Sequence, residues 1–346
     1  MKNKRGTIIL SFNFTNQILK SKRSTRAPSS KFINQQILNS KRSFEFSFSW
    51  LFSVLVGAII LFLAIYAAIN FIETGEHQTN TVTAKQLSLY FEPLETNLES
   101  GKFVTINLDE DAKIYNNCYD SGSFGMQRLS VSTKNFKGAW NKPGGDIPIK
   151  NKYLFSSSTE EGKQLYLISL PFTLPWKISD ITIFSSKKYC FINAPEEIRD
   201  EVEILNSPIE FENCTGLRVC FDYGDNCDII VEGMCINCEN KYEKGVVRKG
   251  NKKMYYVGNL LYAAIFSSKD IYDCNVKRLM ARLVKQAGIY SEEASSLSYK
   301  CGTLPETGFL QLIQAARNSE EENLFLVYDI ARELEEKNQA VECNLW

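Results

Sequence analysis

From Trp50 to Ile72 the chain reads WLFSVLVGAIILFLAIYAAINFI, and no charged residue occurs between Glu45 and Glu73. A bilayer core about 30 Å thick is crossed by roughly 20 apolar residues in a helix, so this run is long enough to span with some tilt. A secretory signal peptide has an apolar region of only about 7 to 15 residues and a small-x-small cleavage site. Neither is clear here, so the run reads as a retained anchor. A buried helix of a soluble protein is the competing reading, but apolar residues on every face over such a length are unusual there. Trp50 and Tyr66, near the two ends, suit the interfacial belt.

Charge then orients the segment. The chain is neutral overall, yet ten of its 40 Lys/Arg and only one of its 40 Asp/Glu, Glu45, precede residue 50. The basic excess sits immediately before the span, which predicts a cytoplasmic N-terminus and an extracytoplasmic remainder on the cell membrane. All ten cysteines lie on that outer side: Cys118, Cys190, Cys214, Cys220, Cys227, Cys235, Cys238, Cys274, Cys301 and Cys343. An even number of cysteines in an oxidising compartment reads as a disulfide framework. The two arguments are independent and agree.

The predicted fold class is α+β, in five segments. Residues 1–45 form a basic, Ser- and Asn-rich tail without sustained periodicity, expected to be disordered. Residues 46–72 are the transmembrane helix. Residues 73–101 begin with a polar stretch, GEHQTNTVT, expected to act as a hinge. Then Leu87, Tyr90, Phe91, Leu94 and Leu98 mark an amphipathic stalk, with Pro93 as a kink and Gly101 as its end.

Over residues 102–257 the apolar period falls to two, as in Val104, Ile106 and Leu108 or Leu217, Val219 and Phe221, which predicts a β-rich domain. Its sheet is expected to be antiparallel, with a short helix near 195–205 and a hairpin turn at Lys-Gly-Asn-Lys between 242–248 and 253–257. Residues 258–346 return to helical spacing. Tyr272, Val276, Leu279, Leu283 and Ala287 lead a long helix over 269–299, Phe309, Leu312, Ile313 and Ala316 a second, and Leu324, Val327, Tyr328, Ala331 and Leu334 a third. Ser319 and Glu322 form a capping box for the third helix.

Catalytic signals are sparse. The sole histidine, His77, lies in the polar stretch beside the membrane, so no Ser-His-Asp or Cys-His unit can be built within the outer domain. No Gly-rich phosphate loop is evident, and no cofactor is called for. Asp109-Glu110-Asp111 and the group Asp222, Asp225, Asp228 lack calcium-loop spacing and read as solvated turns. Leu304-Pro305-Glu306-Thr307-Gly308 matches a sortase signal in letters, but a Glu-rich amphipathic pattern follows where an apolar span is required. It reads instead as a helix start. Asn213-Cys214-Thr215 is an outer glycosylation sequon. Trp140 and Trp176, in Gly/Pro-rich loops, are candidates for either partner anchors or buried packing.

Five cysteines cluster between 214 and 238, ending in Cys235-Ile-Asn-Cys238. Disulfides are the leading reading, but zinc held by thiolates and a redox-active Cys-x-x-Cys are the alternatives. A second Cys-x-x-Cys, which would make the zinc reading specific, is absent. A thioredoxin-like site would open a helix after a strand, and the flanking Glu-Gly and Glu-Asn-Lys-Tyr argue against that context. Cys274 and Cys301 stand near opposite ends of one predicted helix about 40 Å long, so they are not expected to pair. Cys343 is expected to serve one of them.

Lys41-Arg42-Ser43-Phe44-Glu45, followed at once by the apolar helix, resembles the class III signal of type IV pilins and archaeal pilin-like proteins. The resemblance covers residues 41–100. It implies cleavage after Ser43, a mature chain starting at Phe44, Glu45 paired with a neighbouring subunit's N-terminus, and an apolar helix packed in a filament core. The charged flank of a plain signal anchor accounts for the same residues. Together these features predict a membrane-anchored cell-envelope protein whose partners are the bilayer and an envelope protein or its own copies, with no nucleic acid. Its role would be structural, in adhesion or assembly, and non-enzymatic. An ectoenzyme or metal-binding surface protein and a pilin-like subunit are the alternatives.

Overall fold

A computed structural model describes residues 48–91, 101–135, 138–204, 209–212, 214–236, 238–301, 306–318, 323–341 and 344–346. Ser43, Phe44, Glu45, Pro93, Leu94, Leu98, Asn213, Cys343 and the 319–322 capping box fall outside them, as does the Cys301 side chain. The chain divides into two compact units after Ile60. The first is described over 48–60, all of it helix. The second carries the rest of that helix, two sheets and the C-terminal helices.

Helix α1 runs unbroken over Phe48–Tyr90, 43 residues or about 65 Å. It is long and apolar enough to cross a membrane. Its apolar run is uncovered by the described chain, with Phe62 and Phe71 68% and 79% exposed. The expected hinge at 75–83 is helix instead. Thr79, Thr81 and Thr83 each return a hydroxyl bond to the carbonyl four residues back, satisfying their polarity without leaving the helix. The remaining polar groups fix the helix to the 142–145 loop. Buried Asn80 donates to Lys142 O at 3.1 Å and accepts from Thr133 Oγ1 at 2.9 Å, His77 Nδ1 donates to Pro143 O at 3.0 Å, and Gly145 N donates to Thr81 Oγ1 at 2.7 Å. A Cβ at Gly144 would lie 2.4 Å from Thr81 N, so only glycine permits this approach. Beyond it Ala84, Leu87 and Phe91 are buried against the first sheet.

That sheet contains β1 (Lys102–Tyr119), β2 (Met126–Thr133), β3 (Ile147–Ile149), β4 (Tyr153–Phe155), β5 (Thr159–Thr173) and β6 (Lys177–Ser185), in the order β3-β2-β1-β5-β6-β4. All neighbours are antiparallel except β4 and β6. Both faces are buried, as the alternation within single strands shows. Leu165 and Leu167 of β5 face the cluster with α1, and Ile168, Leu170 and Phe172 face the larger core. The pairing of β1 with β5 breaks between Asn107 and Ala112, and the exposed Asp109, Glu110 and Asp111 occupy this bulge. They stand within a strand, not in a turn.

The expectation of a single antiparallel sheet is corrected by a second, mixed one. It comprises β7 (Tyr189–Ile192), β8 (Glu210–Phe211), β9 (Leu217–Phe221), β10 (Ile229–Gly233), β11 (Lys244–Lys249) and β12 (Lys252–Val257), ordered β12-β11-β10-β9-β7-β8. Strands β8, β7, β9 and β10 run parallel, whereas β10, β11 and β12 are antiparallel. Helix α2 (Glu196–Ile204), with Ile198 and Val202 buried, lies in the connection from β7 to β8. The β9 to β10 return is made by residues 222–228 alone, with Asp222 and Asn226 in the left-handed region that such residues tolerate. The expected hairpin is present, with Lys249 opposite Lys252 across Gly250-Asn251.

Helix α3 (Leu260–Phe266) is apolar all round and buried at all seven positions, which places it inside the core. Helices α4 (Lys269–Cys301), α5 (Glu306–Arg317) and α6 (Leu324–Gln339) follow the predicted stripes. Leu279, Leu283, Ala287, Phe309, Leu312, Ala316, Leu324, Val327, Ala331 and Leu334 are all buried. The Glu306–Gly308 part of the sortase-like string opens α5. Trp176 is a packing residue, 4.4 Å from the Tyr290 ring and 5.1 Å from Trp346, which seats the C-terminus.

Candidate functional site

Four disulfides connect Cys118 to Cys274, Cys190 to Cys214, Cys220 to Cys227 and Cys235 to Cys238, and none of the cysteines whose side chains are described is free. They divide by role. Cys118–Cys274 ties the end of β1 to the first turns of α4. Cys190–Cys214 and Cys220–Cys227 lie together on the face of the second sheet turned away from its main core, beside Ile192. Cys220–Cys227 clasps the short return between the parallel strands β9 and β10. These three brace connections that packing alone would have to hold. As expected, Cys274 does not pair with Cys301.

Beside the Cys118–Cys274 bridge lies a buried polar web. Gln127 Nε2 donates to Asn116 Oδ1 at 3.1 Å and to Leu154 O at 2.7 Å, and Asn275 Nδ2 donates to the same carbonyl at 2.8 Å. Arg278, only 1% exposed, donates to Phe124 O at 2.9 Å, Gln127 Oε1 at 3.0 Å and Asn275 Oδ1 at 2.7 Å. Its guanidinium stands 4.8 Å from the Tyr153 ring centroid, and among the described residues no carboxylate pairs with it. Burial lowers its pKa from the usual arginine value. The web joins β1, β2, β4 and α4 with hydrogen bonds to neutral acceptors. It is a fold determinant.

The Cys235–Cys238 pair is different in position and surroundings. It bridges three residues on a loop between β10 and a one-turn 3-10 helix (Lys241–Glu243), which Asn240 caps through Tyr242 N at 2.8 Å. The motif thus follows a strand but does not open a helix. A cavity of about 460 Å³ adjoins it. Met234, Cys235 and Ile236 line one side, Lys244 comes from β11, and Asp329, Arg332, Glu333 and Glu336 come from one face of α6. Ile236 is 92% exposed at its edge.

Around the sulfurs the side chains are polar. Arg332 Nη1 is 3.6 Å from Cys238 Sγ and Tyr328 Oη is 3.9 Å from it. Tyr328 also donates to Glu243, and burial together with that carboxylate raises the tyrosine pKa well above its ordinary value. Lys244 Nζ is 2.6 Å from Asp329. Cys235, Cys238 and Glu243 bring their ligand atoms within 4.8 Å of one another, the one such grouping of metal-ligating side chains among the described residues. A cation there would sit beside the Arg332 charge, with Tyr328 already engaging Glu243. The donor set therefore fits a sulfur pair better than a metal.

The other residues singled out from the sequence are engaged elsewhere. Asp222 contacts Lys241 and accepts from Tyr242 Oη at 2.8 Å. Burial opposes its charge, but these donors and the Gly233 backbone outweigh it and hold the carboxyl below its usual range. Asp228 accepts from Arg218 N at 2.8 Å. Trp140 is flanked by the ammonium groups of Lys113 and Lys134, at 5.9 and 5.0 Å from its ring. Sequence reasoning missed Glu243, Tyr328 and Arg332 as neighbours of the Cys-x-x-Cys. No local signal could have supplied Tyr328 and Arg332, because α6 lies some ninety residues further along the chain, whereas Glu243 follows Cys238 by only five residues and was within local reach. No family model, curated protein or solved structure matches this chain.

Proposed function

We propose that this chain is a single-pass protein of the cell envelope, anchored by the first half of α1, whose disulfide-braced outer domain acts by contact with another protein. The observation that carries this reading is the uncovered apolar stretch of α1, which nothing in the described chain shields from water. Lipid is the solvent that such a surface requires, because an exposed apolar helix of this length in water would aggregate. The basic flank before the span and the confinement of every cysteine to its far side support an outward-facing domain.

The test is topological. Protease added to sealed cells is expected to degrade the chain beyond residue 90, and a membrane-impermeant maleimide is expected to label the cysteines of those cells only after reduction. Full protection of that region, with thiols alkylated without reductant, would overturn the proposal.

A pilin-like subunit is a second reading, favoured by the continuity of α1, whose uncovered half runs without a break into a half packed on a sheet. Intact-mass measurement of the protein purified from membranes distinguishes it. A mature start at Phe44 supports a filament subunit, and retention of the basic tail removes that reading while leaving the anchor intact.

A further inference from the structure

We propose that Cys235 and Cys238 form a thiol–disulfide exchange site, at which Cys238 is the sulfur that engages a cysteine of a partner polypeptide. The inference goes beyond the contact role. The bridge spans only three residues, whereas Cys118 and Cys274 are 156 apart, so it crosslinks no two elements of the fold. It lies in a loop at the mouth of the cavity, and the other three described pairs sit on sheet faces or helix junctions.

The two sulfurs are inequivalent. Cys235 is 8% exposed, whereas Cys238 is more open and has both Arg332 Nη1 and Tyr328 Oη within 4 Å of its sulfur. The guanidinium stabilises negative charge on Cys238 specifically, while the Tyr328 proton is committed to Glu243. The charge that a thioredoxin-type site draws from a helix N-terminus is supplied here from α6, across the loop. Met234 and Ile236, 49% and 92% exposed, flank the pair and offer an apolar rim on which an extended or unfolded segment can rest.

The chemistry balances with a dithiol polypeptide as reductant. One substrate thiolate attacks Cys238 Sγ, a bond forms between those sulfurs, and the Cys235–Cys238 bond breaks, leaving Cys235 as a thiolate that takes a proton from water. The second substrate thiol then gives up its proton to solvent and attacks the first substrate sulfur. The mixed disulfide breaks, and Cys238 leaves as the thiolate that Arg332 stabilises. Two electrons pass from the substrate, now a disulfide, to the pair. The reverse sequence reduces a substrate disulfide, and the partner's potential sets the direction.

Full-length protein in detergent tests this in two ways. First, in graded glutathione buffers with alkylation and peptide mapping, Cys235 and Cys238 are expected to become thiols at a lower reduced-to-oxidised ratio than the other three pairs. Second, Cys235→Ser leaves Cys238 as the free thiol, and its reaction with oxidised glutathione, followed by intact mass, is expected to be at least about tenfold faster than that of Cys235 in Cys238→Ser. Arg332→Met should slow the Cys238 reaction by about tenfold, and Arg332→Lys should restore part of the rate. Equal rates at the two sulfurs, reduction of the pair no earlier than Cys118–Cys274, or protein purified with both as thiols and one equivalent of zinc would each overturn the proposal.

Discussion

Replacing both Cys118 and Cys274 by alanine removes the longest described crosslink in the molecule, and its cost can be worked from the topology. The bridge joins positions 156 residues apart. Loop-closure entropy for a ring of that size raises the free energy of the unfolded chain by about 5 kcal/mol at 25 °C. The rings closed by Cys190–Cys214, Cys220–Cys227 and Cys235–Cys238 nest inside it, but they shorten its effective length by only about a fifth, which changes the figure by about 0.2 kcal/mol. The same relation assigns about 2 kcal/mol to Cys235–Cys238, whose partners are 3 residues apart. The larger bridge also holds the strand that carries Asn116 beside the helix that carries Asn275 and Arg278, so its loss loosens the buried web as well. Urea unfolding of the full chain in detergent, followed by tryptophan fluorescence, is expected to report a loss of about 3 to 5 kcal/mol for C118A/C274A and under about 2 for C235A/C238A. A smaller loss for C118A/C274A than for C235A/C238A would refute the division into bracing and non-bracing pairs.

Arg278→Ala is expected to destabilise by about 3 to 5 kcal/mol in the same assay, because it takes a donor from the buried acceptors of Phe124, Gln127 and Asn275, of which Gln127 Oε1 keeps only Leu154 N, and opens a cavity against Tyr153. Lys249 is held by burial, and secondarily by nearby Lys187, at a pKa of about 7, below the lysine reference of 10.5. Across that interval the unfolded chain binds more protons than the folded one, so this residue makes stability rise with pH from about 7 to 10.5, with its full penalty present below 7. Lys249→Met should therefore raise the urea midpoint at pH 7 and flatten its pH dependence over that window, and an unchanged slope would count against the burial. Gly144→Ala places a methyl 2.4 Å from Thr81 N and is expected to cost about 1 to 3 kcal/mol while speeding hydrogen exchange at residues 77–84.

How far the sequence could be read depended on the range of each interaction. The α4, α5 and α6 stripes were legible because helical periodicity is local and their buried residues fall on it, as Leu279, Leu283 and Ala287 do. The β11–β12 hairpin was legible from Gly250-Asn251 for the same reason. The polar run at 75–83 misled, because a chain of hydroxyl and amide groups looks like a hinge until the loop that receives Asn80 and His77 is in place. Strand direction was invisible. A period of two places side chains on alternate faces whether the neighbouring strand runs up or down, so the parallel core of the second sheet, β8-β7-β9-β10, left no mark that distinguishes it from an antiparallel one.

By itself, then, the order of residues determined that one long apolar helix precedes every cysteine, that a strand-forming middle gives way to helices, and that thiol chemistry is confined to the region after residue 73. Those properties follow from composition and spacing within a few turns of chain. Tertiary structure decided which sulfurs pair, which sheet is mixed, and that Tyr328 and Arg332 of α6 stand over Cys238. The partners of each such contact are separated by many residues, and what brings them together is the burial of apolar faces of sheets and helices that carry no record of their eventual neighbour.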